Sequence, residues 1–487
     1  GFQSVPISEA DPLSVPPGYV AQVLAPWGEP VGLAGAQPAF RWDLGNSAAE
    51  QAQQLGMHHD GMAYFPLQDS GHGLLALNHE YADHGLLFAD GGREWNAEKV
   101  AKSQAAHGLA VIEVQRQADG HWQLQRPSRY ARRVTAASPC AIAGPAAGHA
   151  LMRTALDPDG RQVLGTFANC AGARTPWGTY LAGEENFIGY FRGPNRPNAH
   201  EQRWGLRPGE RWGYRWAEHD ERFDASLHPN EPNRFGWIVE LDPLDPGAAP
   251  VKRTALGRAA HEGATVALTR SGRAVVYSGE DAAFEYIYKF VSRDAMRPGG
   301  AKANAELLDH GTLYVARFDA DGCGQWLPLA HGQGPLTAAN GFADPGEVLI
   351  KARQASDLLG ATPMDRPEWI AVDPQGRVYC TLTNNTQRGA PGRPGVDAAN
   401  PRATNVAGHI IRWQEDGDFD GLGFRWEHFV LAGDPHNERP EARGAVQGDA
   451  FACPDGLFVD GRGLIWIQTD MSSRDMGPGV AHLRREG

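Results

Sequence analysis

A chain of 487 residues with 45 Lys+Arg against 58 Asp+Glu carries a formal net charge of −13, and its 60 Gly and 35 Pro exceed average usage. This acidity argues against a nucleic-acid partner, which needs clustered Lys and Arg to displace counterions from phosphates. No apolar run approaches the ~18–20 residues that span a bilayer, and the polar, Pro-containing sequence from Gly1 onward does not read as a signal peptide.

Most of the chain reads as short strands rich in Val, Ile, Tyr, Trp and Phe, broken at Asp-Gly, Ser-Gly and Pro turns. The segment 96–106 is the best helix candidate. In chain order, five segments repeat one layout: a polar or acidic start, an apolar strand, a turn, a second apolar strand, and an acidic or amide finish. The first begins His59-Asp60-Gly61 and returns to Asn78-His79-Glu80. The second begins Asn169-Cys170 and returns to Gly183-Glu184-Glu185-Asn186. The third runs from His261-Glu262-Gly263 to Ser278-Gly279-Glu280-Asp281, and the fourth from Asp365-Arg366-Pro367-Glu368 to Thr383-Asn384-Asn385. The last begins Cys453-Pro454-Asp455-Gly456 and ends Thr469-Asp470.

Plain apolar hairpins lie between these, at 108–125, 237–255, 312–329 and 410–431. One acid-ended and one plain hairpin make a four-stranded unit, and such units around an axis are the blades of an all-β propeller. The spacing is about twice that of a minimal ~40–45-residue blade, so the loops must carry long insertions such as the polar stretch 194–233. Residues 1–487 read as a single propeller domain with few short helices. Few residues follow Asp470, so the last blade reads as incomplete, or as closed by an N-terminal strand around 19–24.

In an antiparallel hairpin the start of the first strand and the end of the second lie at the same end. With the acid-ended hairpins innermost, Glu80, Glu184, Glu185, Glu262, Glu280, Glu368, Asp455 and Asp470 reach one mouth of the central channel. Carboxylates so close cannot all stay ionised without counter-ions, and bound metal ions are the economical answer.

The five cysteines, Cys140, Cys170, Cys323, Cys380 and Cys453, are odd in number and form no CxxC pair. That argues against a disulfide framework or a zinc ribbon. Cys380 lies in an apolar run and reads as a buried strand residue, whereas Cys170 stands at the polar start of the second hairpin. The stretch 416–427 fits a calcium-loop pattern through Asp416, Asp418, Asp420 and Glu427. Its strand-like flanks favour a polar hairpin turn and leave a peripheral calcium open. No Gly-x-Ser-x-Gly elbow, Walker loop or GxGxxG after a strand is visible.

Asn169-Cys170 leading into Thr175-Pro176-Trp177-Gly178-Thr179-Tyr180 and Glu184-Glu185-Asn186-Phe187 resembles the signature of the PhoX family of secreted bacterial alkaline phosphatases. So do Gly144-Pro145-Ala146-Ala147-Gly148-His149, Phe235-Gly236-Trp237, His261-Glu262-Gly263 and Tyr277-Ser278-Gly279-Glu280-Asp281. Asp365-Arg366-Pro367-Glu368, Thr383-Asn384-Asn385 and Cys453-Pro454-Asp455-Gly456 complete a likeness that runs from about 18 to 470.

The resemblance implies a six-bladed propeller with a central cluster of Fe(III) and Ca(II), hydrolysing phosphate monoesters at alkaline pH outside the cytoplasm. By motif, Cys170 falls at the ferric ligand, and Glu80, Glu184, Glu185, Glu262, Glu368 and Asp455 among the metal carboxylates. Asp60, Glu280, Asp281 and Asp470 are further candidate ligands. Arg366 is the implied phosphate-holding arginine and the catalytic residue, with Asn384 and Asn385 beside the substrate. An oxo or hydroxide held by the metals is the implied nucleophile. The implied partner is a small phosphoester, the chain is expected to be a monomer, and its place is periplasmic or extracellular, although the family's twin-arginine export signal is absent here. A related propeller hydrolase of phosphodiesters, phosphotriesters or lactones, and a non-catalytic calcium-binding propeller, are the alternatives. Calcium alone has no use for a thiolate, so Cys170 together with Arg366 favours catalysis.

Overall fold

The computed structural model describes residues 3–5, 12–35, 37–210 and 212–470. Five inner hairpins follow one another in chain order. They pair His59–Asp69 with His72–His79, Asn169–Arg174 with Tyr180–Glu184, Thr265–Leu268 with Arg273–Gly279, Pro367–Val372 with Val378–Leu382, and Pro454–Val459 with Ile465–Thr469. The all-β propeller expected from sequence is therefore present. A count of six blades remains an implication of the family resemblance, because the described residues supply five inner hairpins.

Stacking of these hairpins follows from the two-residue period of a strand, which sends neighbouring side chains to opposite faces. Tyr180 and Ala182 pack with Phe65, Leu74 and Val111 of the first blade, whereas Leu181 between them packs with Val276, Tyr288 and Val315 of the third. In the third blade, Val275 and Tyr277 likewise turn to Val378, Cys380 and Trp413 of the fourth. Ala371, Tyr379 and Ile410 of the fourth then meet Leu457 of the fifth. Each such Val, Leu, Ile or Phe contributes roughly 1.5–3 kcal/mol on burial. Cys380 is one of these buried strand residues.

Outer strands depart from the expected two-plus-two plan. In the third blade an additional strand, Ile287–Ala295, sits between the inner hairpin and Gly311–Phe318, so this blade has five strands. Its last strand, Cys323–Pro328, pairs with Gly423–Leu431 of the fourth blade and fuses the two into one nine-stranded sheet. In the second blade, Pro139–Ala143 joins Val251–Arg253 in parallel, the only such pairing between strands among the described residues. A parallel edge arises here because the strand comes from upstream in the chain rather than from a hairpin.

The helix expected at 96–106 is Ala97–Ala105, with the Asn96 side chain accepting the Lys99 N–H at 3.0 Å, as an N-cap does. Two helices that the sequence reading missed, Pro345–Ile350 and Ala352–Leu359, flank the third blade. The insertion at 194–233 is not a loose polar loop: Trp204, Trp216 and Phe223 are buried within it. Residues 19–24 do not form a closing strand. Gln22 instead exchanges two hydrogen bonds with the Trp122 backbone, 2.6 and 2.9 Å, on the outer edge of the first blade. The calcium-like stretch 416–427 is the turn between His409–Glu415 and Gly423–Leu431 together with the first residues of that second strand. Three of its four acids are matched by arginines: Asp418 by Arg270, Asp420 by Arg273 and Glu427 by Arg412.

Successive inner hairpins approach so closely that small residues are required at the seams. A Cβ added to Gly183 would lie 2.3 Å from the His261 carbonyl, and one on Gly279 would lie 2.3 Å from the Glu368 carbonyl. Backbone cannot yield there without moving the next blade. Gly183→Ala is therefore expected to cost about 1–3 kcal/mol, read as a lowered urea midpoint. An unchanged midpoint would show that the seam is slack.

Candidate metal centre

The five inner hairpins match residue by residue at one end. His59 pairs with His79, Asn169 with Glu184, His261 with Glu280, Pro367 with Leu382, and Pro454 with Thr469. Before the next pair, the first strand in every case contains one residue more than its partner, which is a β-bulge. The residue that opens each bulge is Asp60, Cys170, Glu262, Glu368 or Asp455. In four hairpins a non-glycine residue in the left-handed region stands just before the first pair: His58, Ala168, Arg366 and Cys453. Such backbone costs on the order of 1–3 kcal/mol and re-aims the chain that follows.

A second set follows from the same frame. One residue beyond the paired position on the returning strand come Glu80, Glu185, Asp281, Thr383 and Asp470. Their N–H groups donate to His58, Ala168, Ala260, Arg366 and Cys453 carbonyls at 3.0, 2.8, 3.0, 3.2 and 3.0 Å. These two sets of five deliver the acids to one place. Metal-ligating atoms of Asp60, Glu80 and Cys170 lie within 4.8 Å of one another, as do those of Cys170, Glu185 and Glu262, and those of Glu262, Asp281 and Glu368.

Glu184 and Glu280, expected at the same mouth, correct the sequence reading. Each occupies the paired position itself, one residue before Glu185 and Asp281, and so faces the other way. Glu184 lies 2.6 Å from Lys252 and accepts the Gly236 and Trp237 N–H groups. Glu280 lies 2.6 Å from Arg353 and also accepts from Ala260 N–H and the Tyr288 hydroxyl. Both are buried anchors within the blades. The register also places Thr383 in the second set, where sequence reading had taken only an amide finish. Its hydroxyl is buried without a hydrogen-bond partner among the described residues. Asn384 and Asn385 are buried too, the first with its amide 3.8 Å from the Cys453 sulfur, the second with its backbone N–H on the Asn405 carbonyl.

Charge at this mouth is unbalanced. Burial pushes Glu80 well above the usual carboxylate range, and Asp60, Asp455, Asp470 and Asp281 add to the shift. Glu185, Glu262, Glu368 and Asp455 are raised in the same way, by burial first and neighbouring acids second. Asp281 is the exception: despite burial, the Arg366 guanidinium holds it below the usual range. Arg366 grips Asp281 through two hydrogen bonds of 2.8 and 2.7 Å and reaches Glu368 at 3.2 Å. It does not pair with Asp365, which Arg388 and Asn405 hold.

These residues fit a group of bound cations. The Cys170 sulfur lies 2.7 Å from Asp60 Oδ2 and 2.9 Å from Glu262 Oε1, yet one thiol proton serves one acceptor. Asp455 Oδ1 is buried with no hydrogen-bond partner among the described residues. Burial, then Asp60 and Glu262, hold the thiol pKa well above normal, an environment that only a cation at the sulfur would reverse. The donor set is hard carboxylate oxygen with one soft sulfur, which suits oxygen-seeking ions together with one that accepts thiolate.

A ring of carboxylates and one cysteine sulfur, with an arginine among them at the end of a propeller, defines a metallohydrolase built for an anionic ester. The family model for alkaline phosphatase PhoX matches residues 1–487, and the chain belongs to that family. Among solved structures it is similar to Pseudomonas fluorescens PhoX in complex with vanadate, a transition state analogue, with 47% identity and a TM-score of 0.94. The match covers 99% of this chain and 85% of that one. A comparison with curated proteins found no match. The protein is thus a metal-dependent phosphatase, and family membership does not favour the diester, triester, lactone and non-catalytic readings.

The charge imbalance has a measurable sign. Below the ordinary values, 4.5 for Glu and 3.8 for Asp, folded and unfolded chains are both protonated and the acid ring costs little. As pH rises, the unfolded chain ionises first while the folded ring holds its protons, so stability falls toward the raised folded values. Chelator-stripped protein is therefore expected to lose melting temperature as pH goes from 5 to 9. Metal-loaded protein should not, and the gap between the two should widen with pH. Parallel curves for the two forms would contradict this placement of the acids.

Proposed function

We propose that the chain hydrolyses phosphate monoesters at alkaline pH with a cluster of ferric iron and calcium held at the propeller mouth. Asp60, Glu80, Cys170, Glu185, Glu262, Asp281, Glu368 and Asp455 are its ligands in this reading, with Asp470 at the rim. The single observation that carries it is the Cys170 sulfur between Asp60 and Glu262, joined to two overlapping ligand triads. When bound, such ions supply Lewis acidity toward the phosphoryl oxygens and toward water.

Arg366 does the rest of the recognition. Its side chain is 27% accessible, far more than that of Asp281 or Glu368, so the guanidinium edge is reachable from solvent. A phosphoryl group replaces the carboxylates on that fork, which suits its paired donors and stays cationic at alkaline pH. Above the second phosphate ionisation, near pH 6, the monoester is mostly a dianion and best matched to it. Despite burial, Asp281, then Glu368 and Glu185, push the Arg366 guanidinium well above its ordinary range and keep it cationic. Arg366 itself is strained into position at φ 57°, beside its ring neighbour Thr383.

A place outside the cytoplasm and a monomeric state complete the proposal. The first is the habit of the family, and no helix among the described residues is long and apolar enough to cross a membrane.

Arg366→Ala is expected to lower kcat on p-nitrophenyl phosphate by about 10²–10³-fold, with metal content kept. Unchanged turnover would make this arginine structural. Elemental analysis is expected to find iron together with calcium, and Cys170→Ala to lose iron and any thiolate-to-iron absorption. Full iron in that variant would overturn the ligand assignment.

A further inference from the structure

Immediately beside the acid ring, a cavity of about 280 Å³ is lined by Glu80, Tyr81, Ala168, Asn186, Tyr190, Trp212 and Tyr214. Glu80 belongs to both places, so the cavity opens directly off the reaction centre. Its walls are planar and braced. Tyr190 and Tyr214 stack at 4.3 Å with an interplanar angle of 15°, and Trp212 meets Tyr190 at 5.9 Å and 61°. Across the cavity, Tyr81 is backed by His58 at 3.7 Å and 11°. Tyr81 and Trp212 are 39% and 41% exposed, which places them at the entrance.

Polar groups in the cavity are few. The Asn186 side chain makes no hydrogen bond among the described residues, although it stands just beyond Glu185 and is half-buried. No Lys or Arg among the described residues lines the space, so nothing there draws the phosphate itself. Trp212 and Tyr214 come from the insertion at 194–233, which blade formation does not need. Loops placed on a rigid scaffold are where specificity is set.

We propose that this cavity is the leaving-group subsite, and that it takes an aromatic ring carried by the alcohol of the phosphate ester. The inference rests on the phosphatase reading and adds to it the class of ester preferred. With phosphorus held at Arg366 and the acid ring, the ester oxygen points past Glu80 and its ring slides between Tyr81 and Trp212. The Asn186 amide offers one donor and one acceptor to a polar substituent on that ring. Every aromatic ring offers a π-face for stacking, so the subsite reads the class of ring rather than its identity.

The test compares kcat/KM for 1-naphthyl phosphate and for glycerol 2-phosphate in the metal-loaded full chain. The aryl-to-alkyl ratio is expected to fall about tenfold in Trp212→Ala and to recover in Trp212→Phe. Phenylphosphonate inhibition should weaken by a similar factor relative to methylphosphonate in Trp212→Ala. Should that variant not fold, Tyr81→Leu carries the same comparison with the same expected fall. A ratio within twofold of the unaltered protein in the variants would overturn the subsite. Failure of the unaltered protein to hydrolyse either ester would overturn the phosphatase reading, and this inference with it.

Discussion

Everything at the mouth of this propeller depends on a one-residue bulge placed at the same register in each inner hairpin. A regular strand pair would send Asp60, Cys170, Glu262, Glu368 and Asp455 to faces fixed by strict alternation, where the stacked blades need Val, Leu and Tyr. The bulge lets a ligand and a core residue coexist within three positions of one strand. In the second hairpin, Cys170 belongs to the ligand triads while Tyr180 and Leu181, across the turn, bury themselves in two different cores. Left-handed backbone at His58, Ala168, Arg366 and Cys453 is the local cost, and interblade packing offsets it.

The same register sorts the carboxylates into two trades. Glu184 and Glu280 sit one residue short of the mouth and are neutralised by Lys252 and Arg353. Breaking such buried pairs from one side leaves an uncompensated charge, at about 3–5 kcal/mol. Glu185 and Asp281, the next residues along, face the ring and have one guanidinium between them. Glu184 and Glu280 thus come each with a matched cation, whereas Glu80, Glu185 and Glu262 have none among the described residues. That contrast separates the ring from the surface hairpin 416–427, where three of the four acids are also met by arginines.

Much of this was legible in the sequence, and the failures have physical causes. Repetition of acid-ended hairpins pointed to blades and to a shared mouth, and the unusual stretch around Cys170 pointed to the family. Composition could not separate Glu184 from Glu185, because the choice depends on which residue lies opposite Asn169 and therefore on a bulge. Thr383 escaped for the same reason, since nothing about a threonine marks it as the counterpart of Glu80 and Glu185. The partners Lys252 and Arg353 lie far along the chain from their acids. The fifth strand Ile287–Ala295 and the parallel edge at Pro139–Ala143 were hidden because tertiary pairing, not local pattern, decides them. The insertion 194–233 looked polar by count, but its few aromatics carry its packing.

The most direct measurement of the central claim is metal content per chain in two adjacent substitutions, Glu184→Gln and Glu185→Gln. If the bulge register assigns the acids, Glu185→Gln binds fewer ions than the unaltered protein while keeping its fold. Glu184→Gln keeps its full complement and loses melting temperature instead. Full metal in Glu185→Gln with depleted metal in Glu184→Gln would contradict the account.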